Sequence, residues 1–156
     1  MSILKSVRTF LRLNMKTKLL LIEAYFHLGR ARYLKSIPFS KLAPSLGEEM
    51  KETSFSPIPS NKGELARISK AIHLMSRYTL WESQCLTKAI AGMKMLEKRN
   101  IESTLYLGTA KDEKGAFIAH AWLRSGSFYV SGAEVMDRFT VVAKFAKETN
   151  RNRLEE

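Results

Sequence analysis

Apolar residues recur at helical spacing along the first part of the chain. Leu4, Val7 and Leu11 form one stripe, and Lys5, Arg8, Arg12 and Lys16 form the stripe beside it. This predicts helix over 3–35, broken once near 14–17. From Leu19 to Leu28 the residues are apolar almost all round, which predicts a buried segment. Pro38 stops the helix, and 36–49 reads as turns with room for a short helix. The stretch "TSFSPIPSNKGE" (53–64) is rich in proline and serine and reads as a linker or surface loop. Helical spacing returns over 62–79 (Leu65, Ile68, Ile72, Met75, Thr79) and over 84–98 (Ala89, Met93, Leu96), with Asn100 as a C-terminal cap. The period then changes to strand-like runs at 103–110, 116–124 and 127–132, joined by polar turns, and an antiparallel meander is the simplest topology. "RFTVVAKFAKETNRN" (138–152) fits strand, helix or both. The fold class is α+β. The chain divides into a basic helical arm (1–50), a linker loop (51–61) and a core (62–156).

Length and charge sharpen this picture. The 156 residues suit one domain with an appendage. The net charge is +11, and residues 1–41 hold nine Lys/Arg against a single acid, Glu23, a local excess of +8. A positive potential on the N-terminal part suits a nucleic acid, an anionic membrane surface or an acidic peptide, or is a solvated helix face. The run 19–28 is interrupted by Glu23 and is far shorter than a membrane span, so at most peripheral membrane contact is expected. One cysteine excludes an intrachain disulfide and fits a reducing compartment; a cytoplasmic protein is expected.

That cysteine is Cys85, at the predicted start of the 84–98 helix. Unpaired N–H groups and the positive end of the helix dipole point there. Such a position, with a histidinium nearby, favours the thiolate, and the same N–H groups can bind an oxyanion. Of the three histidines, His27 and His73 lie in predicted helices and read as structural or solvent-facing. His120 sits mid-strand between Ala119 and Ala121. It is either a base for Cys85 or a buried histidine bonded to a carbonyl. No metal or cofactor is expected.

"WESQCLTKA" followed by "AHAWLRSGSFYVSG" resembles the lasso-peptide leader peptidases, a transglutaminase-like branch of the papain-type cysteine enzymes. Trp81, the Cys85-Leu86 pair, "NIESTLYLG" and "AHAW" at 119–122 carry the resemblance, which is strongest over 62–132. It implies a minimal transglutaminase-like core under a helical N-terminal region, and removal of the leader from a ribosomally made precursor. The implied partners are the precursor leader, a small winged-helix-like recognition protein and an ATP-dependent macrolactam cyclase. It also implies a Cys-His-Asp triad, in which Cys85 and His120 match the first two members.

The third position departs from the family, because the residue twelve after the histidine is Gly132. If 125–127 form a three-residue hairpin loop, His120 faces Gly132, and Glu134 lies two residues on along the same face. Glu134 is the first candidate for the orienting acid and Asp137 the second. A backbone carbonyl or a water holding the imidazole is the third possibility. Gln84 and Trp81 are candidates for the second oxyanion donor. Two further readings stay open: a non-catalytic peptide-binding module on the same fold, and a nucleic-acid-binding protein, for which no motif is present.

Overall fold

Asn14 divides the N-terminal helical run. Its side chain accepts a hydrogen bond from the Thr17 N–H at 2.8 Å and caps the second helix. In a computed structural model, which describes residues 3–56, 59–81 and 83–149, the run is therefore α1 (Ile3–Arg12) and α2 (Met15–Ser36). The helices α3 (Phe39–Leu46), α4 (Lys62–Met75) and α5 (Cys85–Lys98) follow. The strands are β1 (Glu48–Glu49), β2 (Ser103–Lys111), β3 (Phe117–Ser125), β4 (Phe128–Ser131) and β5 (Thr140–Lys147). They form one antiparallel sheet in the order β1-β5-β2-β3-β4. The expected meander is present as β2-β3-β4. The undecided C-terminal run returns as β5 beside β2, and residues 150–152 of it lie outside the described residues. The fold is α+β, as its pattern predicts.

Two expectations need correction. Residues 19–28 are not buried all round: α2 buries Leu21, Ala24, Leu28 and Ala31, while Leu19, Ile22 and Phe26 face solvent, Phe26 at 73% exposure. The protein covers only one side of this helix, so its other apolar side stays open. Nor do residues 51–56 hang between two halves. Arg124, fully buried, donates to the carbonyls of Thr53 (2.9 Å), Ser54 (3.0 Å) and Gly126 (2.7 Å) and to the Tyr106 hydroxyl (3.0 Å). Its guanidinium lies 3.5 Å from the centre of the Phe55 ring. A buried arginine is stable only when its donors are all engaged, and here they fasten the 52–55 segment to the sheet.

A single hydrophobic core runs from Leu21 and Leu28 of α2 through Ile68, Ile72 and Met93 to Leu105, Leu123 and Phe145 of the sheet. Arg99 closes the helical layer. It makes a bidentate pair with Glu23 of α2 (2.8 and 2.7 Å) and bonds Glu64 of α4 at 2.8 Å. The hydrogen bond from Arg99 holds the Glu23 carboxyl below its ordinary range. A carboxylate with a depressed folded value stabilises the fold above its unfolded value, and the contribution is lost as pH falls through the folded one. Glu23→Gln is therefore expected to cost about 1–3 kcal/mol at neutral pH. The difference from wild type should close on acidification, as read by urea unfolding across a pH series. A difference that stays constant down to strongly acidic pH would contradict this role.

Candidate active site

Helix α5 sits close on the sheet because Gly92 has no side chain. A Cβ there would lie 2.7 Å from Leu123 Cδ2 and 3.2 Å from Ile72 Cδ1. From Gly92 back to Cys85 the helix spans about 10 Å, and from Leu123 back to His120 the strand spans about the same. The helix C-terminus lies at the opposite end, where Glu97 pairs with Lys147 at 2.9 Å. Cys85 therefore begins its helix at the His120 end of β3. It is half-buried and packs against the edge of the core. Gln84 stands at the N-cap, exposed and in extended conformation. No side chain among the described residues caps the helix, which leaves the first-turn N–H groups available to an oxyanion.

His120 lies on the other face of β3. Strand alternation turns Ala121 and Leu123 toward α5, and His120 toward Trp122, Tyr106 and Phe139. Its ring is 5.9 Å from Trp122 and 5.0 Å from Phe139 between centroids. Gly108, directly opposite on β2, makes room for both, since a Cβ there would come within 2.9 Å of each. His120 Nε2 lies 2.7 Å from the Gly132 carbonyl oxygen. Thiol and imidazole thus approach the same end of β3 from its two faces, and among the described residues no hydrogen bond joins them. The β3–β4 ladder runs only over Leu123–Ser125, so β3 has no ladder partner on that side beside His120.

The hairpin register differs from expectation. Ser125 pairs with Phe128, leaving a two-residue loop, and a bulge then sets Leu123 against Ser131. Gly132 ends the strand in the left-handed region at φ 78°, and Ala133–Arg138 coil into a 3-10 helix. Glu134 is consequently not on the strand face. Its side chain is 70% exposed, and Oε1 lies 3.9 Å from His73 Nε2. Asp137 is exposed on the same turn. Neither carboxylate meets His120, because the expected strand continuation does not exist. Among the oxyanion candidates, Gln84 is exposed, whereas Trp81 Nε1 is buried without a partner among the described residues, its ring against Tyr25 and Gly29. His27 is held by burial below its ordinary value and sits 3.9 Å from Glu23. His73 bonds the Ser69 carbonyl through Nδ1 at 2.7 Å. Both keep the structural places expected of them. Among the described residues no group of three or more His, Cys, Asp or Glu could hold a metal ion, and no helix is long and apolar enough to cross a membrane.

Residues 33–144 match the model of the transglutaminase-like superfamily, and the chain belongs to it. No curated protein and no solved structure matches the chain. The superfamily includes cysteine peptidases and transglutaminases, which gives the thiol at the head of α5 its chemical context.

Sequence reasoning missed Phe139 and Gly108. Gly132 was singled out only for the side chain it lacks. A Cβ at 132 would stand 2.4 Å from the Ala121 carbonyl oxygen and 2.9 Å from Trp122 Cβ. Gly132→Asp, the replacement that would supply the acid implied by the resemblance to the leader peptidases, is thus expected to destabilise the fold by about 1–3 kcal/mol from backbone strain alone, with the clash added. Thermal denaturation of the variant checks this; a melting temperature equal to wild type would contradict it.

Proposed function

We propose that the chain is a cysteine peptidase that removes the leader from a ribosomally made lasso-peptide precursor in the cytoplasm. The observation that carries this is the placement of the only thiol, Cys85, at an uncapped helix start. It stands at the His120 end of β3 in a transglutaminase-like chain. The Cys85 thiol passes its proton to His120 Nδ1, and the resulting thiolate attacks the carbonyl at the leader–core junction. The oxyanion is met by the Cys85 N–H and the Gln84 side chain. The C–N bond then breaks, His120 protonates the leaving amine, and water delivered through His120 hydrolyses the thioester. Attack requires the Cys85 thiol to come within hydrogen-bond reach of the imidazole, and catalytic hydrogen bonds often tighten only with substrate bound.

The N-terminal arm is the docking element in this reading. Leu4, Val7 and Leu11 of α1 and Met15, Leu19, Ile22, Phe26 and Tyr33 of α2 are exposed, with Lys5, Arg8, Arg12, Lys18 and Arg30 around them. Such a surface suits an acidic leader or an acidic winged-helix-like recognition protein, and a macrolactam cyclase would consume the product. The separation of thiol from imidazole also supports a second reading, a peptide-binding module without hydrolysis.

Cys85→Ala should lower leader removal by roughly 10³-fold or more while leaving the fold intact, and His120→Ala should lose about as much, because the two act as one unit. Mass spectrometry of the peptide reads both, and wild-type turnover by the alanine variant would sink the proposal. Peptide binding with no cleavage by the wild-type chain would decide for the second reading. Paired Leu19→Glu and Phe26→Glu substitutions should raise KM for the recognition-protein-bound precursor by about tenfold with kcat unchanged. An unchanged KM would remove the docking role.

A further inference from the structure

We propose that the main-chain carbonyl of Gly132 is the positioning group for His120, standing where a carboxylate would otherwise stand, and that it fixes the imidazole as the Nε2–H tautomer with Nδ1 free. The proposal rests on the peptidase reading for its purpose but not for its geometry. A carbonyl oxygen can only accept, so at 2.7 Å the Nε2 atom of His120 must donate. Neutral imidazole carries one N–H, so Nδ1 then holds the lone pair. Trp122 and Phe139 fix the ring on its faces, and the carbonyl fixes its rotation.

Three features make this carbonyl available. Pairing in β4 ends at Ser131, so Gly132 is the first residue clear of the ladder. Its left-handed φ of 78° turns the chain over the His120 face of β3. Its lack of a Cβ lets the backbone close onto Ala121 and Trp122 to distances that no other residue allows. The carboxylates that could compete are elsewhere: Glu134 faces His73, and Asp137 is exposed. Glycine at this position is therefore the means by which a backbone oxygen reaches the imidazole. A neutral acceptor brings no counter-charge, so the orientation of His120 does not depend on any acid being ionised.

The test is a long-range proton–nitrogen NMR spectrum of the His120 ring in the full-length, substrate-free protein at neutral pH. The expected result is a single Nε2–H tautomer, unchanged in Glu134→Gln and Asp137→Asn, with cleavage by both variants within about twofold of wild type. Gly132→Ala, whose Cβ would meet the Ala121 carbonyl oxygen at 2.4 Å and so push the Gly132 carbonyl away from His120, should give mixed tautomers and lower kcat by about tenfold or more with KM held. An Nδ1–H tautomer or a mixture in the wild type overturns the proposal. So does a folded Gly132→Ala variant that keeps the wild-type tautomer, or a tautomer change in Glu134→Gln. If Gly132→Ala does not fold, the wild-type spectrum decides alone. Because the spectrum is taken without substrate, an inactive wild-type chain would refute the peptidase reading and leave this result standing.

Discussion

Everything at the candidate site depends on how closely α5 lies on the sheet. Gly92 sets that distance: Leu123, Ile72 and Val130, all fully buried, fill the space a side chain would need. Interiors are packed to crystal-like density, so the helix cannot slide without opening a void or a clash. The contact fixes the height of Cys85 on β3, seven residues away along the helix. Arg99 and its two carboxylates then fix the helix against α2 and α4.

The opposite face of the sheet is held by different means. Arg124 fastens the 52–55 segment over β3, Tyr106 stacks on Trp122 at 5.5 Å, and Tyr106 donates to Glu52 at 2.6 Å. Burial and that bond to Glu52 push the Tyr106 hydroxyl up to about 12, so it remains a donor. These contacts set the wall against which Trp122 rests, and Trp122 sets one side of His120. One layer thus presents the thiol and the other presents the imidazole, and the short β4 leaves that end of β3 without a ladder partner between them.

The elements were legible because their apolar periods are clean: α4, α5 and the β2-β3-β4 meander all lie where spacing puts them. So were Cys85 at a helix start and His120 on a strand. What the residues could not reveal was decided by tertiary contact. The apolar ring of α2 carries no mark of which side would find neighbours. The C-terminal run became a strand because β2 had a free edge. Glu134 and Asp137 rank ahead of a backbone carbonyl as partners for His120 in the residue pattern, because pattern assigns work to side chains first, yet the carbonyl is the partner found. A bulge in the hairpin and one left-handed glycine ended the strand early, carried Glu134 away and brought a backbone oxygen in.

In the proposed mechanism Cys85 and His120 act on one another across the end of β3. The most direct measurement is the rate at which iodoacetamide alkylates Cys85 in the folded wild-type chain and in His120→Ala at neutral pH. The account predicts that wild-type Cys85 reacts faster than the same thiol in the unfolded chain, and that His120→Ala removes the advantage. Equal rates in wild type, variant and unfolded chain would contradict it.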